Sequence, residues 1–231
     1  MTNNLTRNQY LSIMGINVWV ERDNINTRSY TKNSELKTKV KSELMLKDIT
    51  SLDWNELDKT VNQCQNCNLY KTRKNSVFGS GNKNAKLFII GSIPNIEEDN
   101  KSQIFIGTEG ILLDNMLKVL DLSRSDVFTT NILKCKSQKH RQFTNAEMDN
   151  CFSYLKRQID LVKPKVLIIF GEQVAQFILK IDKSMTTLIT EMYDYNGISV
   201  IVIKHPEQLL LSGSSKKQAW LSLQKIRTIL N

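Results

Sequence analysis

The stretch Leu87-Phe88-Ile89-Ile90-Gly91-Ser92-Ile93-Pro94-Asn95-Ile96-Glu97-Glu98-Asp99 decides how the chain is read. Its first four residues form an unbroken apolar run, bounded like a strand that is covered on both faces. A Pro-Asn turn follows, and then three successive acids, which read most simply as part of a solvated loop. Three more runs of the same kind occur at Val127 to Ile132, Val166 to Phe170 and Ile198 to Ile203. Around them lie helical patterns at Leu52 to Val61, Ile111 to Leu120, Asn145 to Val162 and Gln173 to Leu179. A last one, Ser214 to Leu230, is expected to bury Trp220, Leu223 and Ile226 on one face. Thr144 and Glu147 have capping-box spacing, which fixes the start of the helix at Asn145. Strands alternating with helices predict an α/β fold: a three-layer αβα domain around a central four-stranded parallel sheet. Ligands of such sheets bind beyond the carboxyl ends of the strands, so chemistry is expected in the loops after Ile90, Ile132, Phe170 and Ile203.

Working outward, the 231 residues hold 32 Lys plus Arg against 23 Asp plus Glu, a formal charge of +9. That balance points towards polyanions, although lysine-rich faces are often simply solvated. No run approaches the roughly 18 to 20 apolar residues of a membrane span, and Met1 to Thr6 lacks the blocks of a signal peptide, so a cytoplasmic protein without a membrane partner is expected. Four cysteines are too few for a disulfide scaffold at this length.

The N-terminal part is organised differently. Asn8 to Met14 could form two helical turns, and Ile16 to Val20 alternates like a strand, so Tyr10, Leu11, Met14, Ile16 and Trp19 are apolar with no local core to join. Residues 1–22 are therefore read as a partner-binding segment, unless they pack back on their own domain. Residues 23–47, rich in Asn, Thr, Ser and Lys, are read as a flexible linker, with a helix through Leu36, Val40 and Leu44 as the alternative. Residues 48–231 form the α/β domain.

Cys64 and Cys67 make a C-x-x-C, and fifteen residues separate Cys135 from Cys151. Cys135 follows a strand and Cys151 lies in the next helix, so the fold could unite the two pairs around one metal site. Zinc and an iron-sulfur cluster both accept four thiolates, while two surface thiols with two core cysteines is the plain alternative. His205, at a strand's carboxyl end, could stabilise a developing oxyanion or simply bond across a turn. Basic clusters at Lys71, Arg73, Lys74, Lys83 and Lys86, at Lys134, Lys136, Lys139 and Arg141, and at Lys216, Lys217, Lys225 and Arg227 could follow a phosphate backbone.

In order and spacing these motifs resemble the family 4 uracil-DNA glycosylases from Gln63 to Leu230. The family's C-x-x-C and V-x-G-x-G correspond to Cys64 to Cys67 and Val77 to Gly81. Its G-E-A-P-G-x-x-E-D, P-F-V-G-x-x-G-x-L-L-D, T-N-x-x-K-C and H-P-x-x-L-L-R are matched by G-S-I-P-N-I-E-E-D from Gly91, I-F-I-G-T-E-G-I-L-L-D from Ile104, T-N-I-L-K-C from Thr130 and H-P-E-Q-L-L-L from His205. The resemblance implies a uracil-DNA glycosylase-like fold and a 4Fe-4S cluster held by Cys64, Cys67, Cys135 and Cys151. By the same resemblance Phe105 would stack on a flipped uracil beside Gly91, Asn131 would read the base, His205 would stabilise the leaving group and Glu98 would be the second acid of the active-site loop. DNA would meet Lys136, Lys139, Arg141, Lys216 and Lys217.

The chain departs from the family at Ser92, where the first-motif Glu is missing, at Ile93 and Asn95, and at Leu211, which replaces a final Arg. A serine cannot take a proton at neutral pH as a carboxylate can. Arg7 to Arg22 is also similar to the N-terminal peptide of the psi subunit of bacterial DNA polymerase III, especially at Gly15-Ile16, Trp19 and Arg22. Together these features imply a psi-like protein bound to clamp-loader subunits of DNA polymerase III, with weak or lost glycosylase activity. The alternative is an active uracil-DNA glycosylase using Glu98, Asn131 and His205.

Overall fold

A computed structural model describes residues 49–137 and 143–230. Residues 1–22 with Tyr10, Leu11, Met14, Ile16 and Trp19, the segment 23–47, and Lys139 and Arg141 lie outside the described residues. The sheet has six strands: β1 (Ser80–Gly81), β2 (Leu87–Gly91), β3 (Val127–Asn131), β4 (Val166–Phe170), β5 (Met192–Tyr195) and β6 (Ile198–Ile203), in the order β1-β3-β2-β4-β6-β5. The central four are parallel, as the apolar runs predict, and β1 and β5 add antiparallel edges to β3 and β6.

Both edges escape a reading based on apolar runs. β1 is only two residues long and approaches β3 so closely that a Cβ on Gly81 would stand 2.0 Å from the Val127 carbonyl oxygen. β5 alternates exposed Met192 and Asp194 with half-buried Tyr193 and Tyr195. It turns into β6 through Asn196-Gly197, both at positive φ (53° and 83°), as a two-residue hairpin of primed type requires.

The helices are α1 (Trp54–Gln63), α2 (Ile96–Lys101), α3 (Gly107–Val119), α4 (Asn145–Val162), α5 (Glu172–Leu179), α6 (Met185–Leu188), α7 (Pro206–Leu210) and α8 (Gly213–Leu230). Thr144 caps α4 as expected: the Glu147 amide donates to its Oγ1 at 3.3 Å, and its own amide donates to the Glu147 carboxylate at 2.9 Å. Alternation along each strand sends side chains to both faces. Phe88, Ile90, Leu167, Ile169, Val200 and Val202 meet α1, α4 and α5 on one side. Leu87, Ile89, Ile168, Ile201 and Ile203 meet α3 and α8 on the other. None of the described helices is long and apolar enough to cross a membrane, and the four cysteines are free thiols.

Two expectations need correction. Trp220 is 48% exposed; the face of α8 that reaches the core carries Ala219, Leu223 and Ile226, a stripe from which Trp220 is turned away. The acid run is not a solvated loop but the helix α2, in which Glu98 and Asp99 are each 3% exposed. The face assignment has a direct consequence for stability. Leu117→Ala, on the opposing face of α3, is expected to cost about 2 to 5 kcal/mol in urea denaturation, and Trp220→Ala to stay within about 0.5 kcal/mol of the parent.

Candidate functional site

The carboxyl ends of β2 and β3 meet at Gly91 and Asn131, which are directly paired. A Cβ on Gly91 would lie 2.1 Å from Asn131 Oδ1 and 2.8 Å from Phe105 Cζ, so only glycine lets these two side chains close over the strand end. Asn131 is 2% exposed, and its Nδ2 is buried with no hydrogen-bond partner. Its backbone is better served: the buried Lys134 Nζ donates to the Asn131 carbonyl at 2.7 Å and to Gln158 Oε1 at 2.7 Å, while Gln158 Nε2 donates to the Phe78 carbonyl. Burial pushes the Lys134 ammonium down to about 7.

Phe105 sits at φ +49°, a left-handed conformation unfavourable for an aromatic residue. Two groups hold it there. Its amide donates to Glu98 Oε1 at 2.5 Å, and its carbonyl accepts from Arg124 Nη2 at 2.9 Å. The ring stands edge-on to Phe170, with centroids 5.6 Å apart, and 6.5 Å from the His205 ring. The Glu98 carboxylate is engaged on both oxygens, since Oε2 takes the Asn95 amide at 2.9 Å in the capping box of α2. Burial raises its pKa, and the amides of Asn95 and Phe105, with the nearby Asn131 side chain, oppose that rise.

His205 precedes α7, and the resulting burial pulls its imidazole below the ordinary range, partly offset by Glu207. A neutral imidazole at physiological pH follows. Ser92, half-buried, ends the strand pairing: its carbonyl accepts from the Leu133 amide at 3.1 Å. The structure thus brings Gly91, Ser92, Glu98, Phe105, Asn131 and His205 to one sheet edge. Residues that the sequence reading did not select also lie there. They include Arg124, Phe170 and Glu109, whose carboxyl is pushed up to about 7 by burial first and then by Glu98 and Glu207. A glutamate two residues past the glycine that opens α3 was the available signal for Glu109.

The four cysteines converge on the opposite face of the sheet. Cys64 and Cys67 pack against the core cluster that contains buried Cys135 and Cys151. Arg73 ties them together, donating to Cys135 Sγ at 3.0 Å and to the Cys64 carbonyl at 3.2 Å. The thiols feel one another electrostatically: Cys64 raises the pKa of Cys67, and Cys67 and Cys64 raise that of Cys135. Burial is the larger cause in each case and pushes Cys151 up to about 12. Among the described residues no three His, Cys, Asp or Glu side chains stand at the spacing of a single bound ion.

Of the basic residues, Lys216 and Lys217 are exposed in the first turns of α8. Lys136 turns instead to the buried Asp99 carboxylate, 3.9 Å away. Asp99 also accepts the amides of Lys74 and Asn75 and so fastens the loop before β1.

A family model described as the uracil DNA glycosylase superfamily matches residues 78–224. The chain is 34% identical over 184 residues to the type-4 uracil-DNA glycosylase of Archaeoglobus fulgidus, covering 76% of this chain and 92% of that protein. It is 32% identical over 180 residues to the type-4 enzyme of Saccharolobus solfataricus, with coverage of 74% and 83%. It is also 32% identical over 158 residues to that of Thermotoga maritima, with coverage of 68% and 82%.

The close approach at Gly91 can be probed directly. Gly91→Ala is expected to displace the Asn131 side chain, shifting its amide resonances in NMR spectra, and to cost about 1 to 3 kcal/mol of stability.

Proposed function

Because the chain belongs to the uracil-DNA glycosylase superfamily, we propose that it removes uracil from DNA by hydrolysing the bond between base and deoxyribose. The observation that carries this reading is the buried, unpartnered Nδ2 of Asn131 beside Gly91 and Phe105. A buried donor left without an acceptor costs about 1 to 3 kcal/mol, which a bound base can recover. A carboxamide offers one acceptor and donors, matching the N3-H and O4 of uracil; cytosine presents the opposite pattern. The base must first leave the helix stack. Phe105 then gives it an aromatic face, Gly91 leaves room for its edge, and the neutral imidazole of His205 donates a hydrogen bond to the charge that grows on the departing ring. Lys216 and Lys217 meet the phosphates, with Lys139 and Arg141 assigned to the same role, while Lys136 is turned to Asp99.

The donor set of Cys64, Cys67, Cys135 and Cys151 fits a 4Fe-4S cluster: four sulfurs from three segments, the end of α1, the loop after β3 and α4, beside the cationic Arg73. Such a cluster would supply thiolate-iron bonds that cross-link the end of α1, the loop after β3 and α4.

The clamp-loader reading gives way to this one. The relatives reported above are glycosylases by name, and the peptide that suggested a partner, residues 1–22, lies outside the described residues.

Incubation with uracil-containing single-stranded and duplex DNA, followed by alkaline cleavage at abasic sites, is expected to show excision of uracil and not of cytosine. Asn131→Ala and His205→Ala should each lower the rate by about 10² or more. Absence of excision would return the chain to a non-catalytic, DNA-binding role. Purified without oxygen, the protein should be brown with about four irons per chain, and Cys135→Ala should lose the colour. A colourless zinc protein would overturn the cluster assignment.

A further inference from the structure

Carboxylates from three elements lie near the carboxyl edge of the sheet, Glu98 of α2, Glu109 of α3 and Glu207 of α7, and the first and last both act electrostatically on Glu109. Hydrolysis needs a group there that can orient water and take its proton. Each oxygen of Glu98 already accepts a backbone amide, which holds the carboxylate to the fold and opposes its protonation. Ser92 offers a hydroxyl, which does not accept a proton at neutral pH. His205, with its ring centroid 6.5 Å from that of Phe105 and 6.3 Å from that of Phe170, is already given to the leaving base. Glu109 is left. It is half-buried and makes no hydrogen bond or ion pair among the described residues.

The backbone places it accurately. Glu109 is the third residue of α3, four positions after Phe105, and the intervening Gly107 sits at φ +68°. The carbonyls of Phe105 and Gly110 both accept from Arg124 Nη2, at 2.9 and 3.0 Å, so the turn that carries Glu109 is bolted to the Phe105 backbone. Glu98 in turn lies near Asn131, whose buried and unpartnered Nδ2 points to a ligand at this spot.

We infer that Glu109 is the carboxylate that orients and deprotonates the attacking water, filling the part that Ser92 cannot. The inference rests on the uracil-excision reading. In the step, the bond from C1′ to N1 of the base breaks and its electron pair leaves with the base. The water oxygen forms the new bond to C1′, its proton moves to Glu109, and that proton then neutralises the departed base. The products are free uracil and an abasic deoxyribose. The charges around Glu109 suit the task. Burial and the neighbouring Glu98 and Glu207 raise its proton affinity, while Arg124 pairs with Asp114 of the same helix and acts on Glu98. His205, neutral, adds no charge. A base that titrates near the working pH transfers protons with the least mismatch.

Single-turnover excision by wild-type, Glu109→Gln, Glu109→Asp and Glu109→Gln/Ser92→Glu proteins tests this. The Gln variant should lose about 10² to 10⁴ in rate, with the apparent KM changed by less than about threefold. The wild-type rate should rise with pH through a midpoint near 7, and that limb should vanish in the Gln variant and persist, at lower rate, in the Asp variant. Adding Ser92→Glu should restore at least about tenfold.

Melting gives a readout free of activity. A carboxyl raised in the folded state contributes stability below its ordinary pKa of 4.5, and this is lost as pH climbs to about 7. Glu109→Gln should therefore match wild type at about pH 5 and melt higher at about pH 8. Excision by the Gln variant at the wild-type rate and with the wild-type pH profile overturns the inference and leaves the glycosylase reading intact. A wild-type protein that excises nothing overturns both.

Discussion

The site depends on one buried carboxylate. Glu98 accepts the amide of Asn95, which starts α2, and the amide of Phe105, which would otherwise be an orphan donor in a left-handed turn. A positive φ at an aromatic residue costs on the order of 1 to 2 kcal/mol and persists only where its surroundings over-determine it. Here they do: the carboxylate grips the nitrogen, Arg124 grips the carbonyl, and Phe170 meets the ring edge-on. The desolvation that raises the Glu98 pKa is thus the cost of aiming a ring at the end of β2. Glu98 thus holds the stretch of chain that carries the ring.

A second polar system lies behind the first. Lys134, 1% exposed, joins Thr130, the Asn131 carbonyl and Gln158, and Gln158 reaches the carbonyl of Phe78 before β1. The Lys134 ammonium holds β3's last two residues directly, through Thr130 Oγ1 and the Asn131 carbonyl. Cys135 is the very next residue after Lys134, so the segment from Asn131 to Cys135 carries the buried Asn131 amide at one end and one of the four thiols at the other. Arg73 completes the link, spanning Cys135 and the carbonyls that end α1.

Much of this was legible in the sequence, and the reasons differ by element. The four central strands are continuous Val, Ile, Leu and Phe runs because both faces are covered, and such runs have little else to be. The start of α4 was readable because Thr144 and Glu147 satisfy each other locally. The edge strands were hidden because β1 is two residues long and β5 is half solvated, leaving only the Asn196-Gly197 turn as a signal. α2 was hidden because its apolar content is almost nil: it is held by Asn95, Glu98 and Asp99 through backbone amides. The residues quoted from motifs were placed together by the fold, yet which acid is free and which is committed depends on hydrogen bonds that no spacing reveals. Glu109 stayed unnoticed for that reason, and Trp220 was misassigned because a three-residue step along α8 drifts off the buried stripe of Ala219, Leu223 and Ile226.

The edges of the sheet carry a consequence of their own. An open sheet ends in rows of unpaired amides and carbonyls, which template self-association when they are long, flat and apolar. This one ends otherwise. β1 offers two residues, both tied inward to β3. β5 carries Asp194 in its middle, bound to the turn amide of Gly197, and an ion pair of Lys183 with Glu191 stands at its entrance. A second chain would have to bury those charges to add a strand. The same features that made the edges hard to read therefore protect the parallel core from fibril growth during the slow pairing of its distant strands.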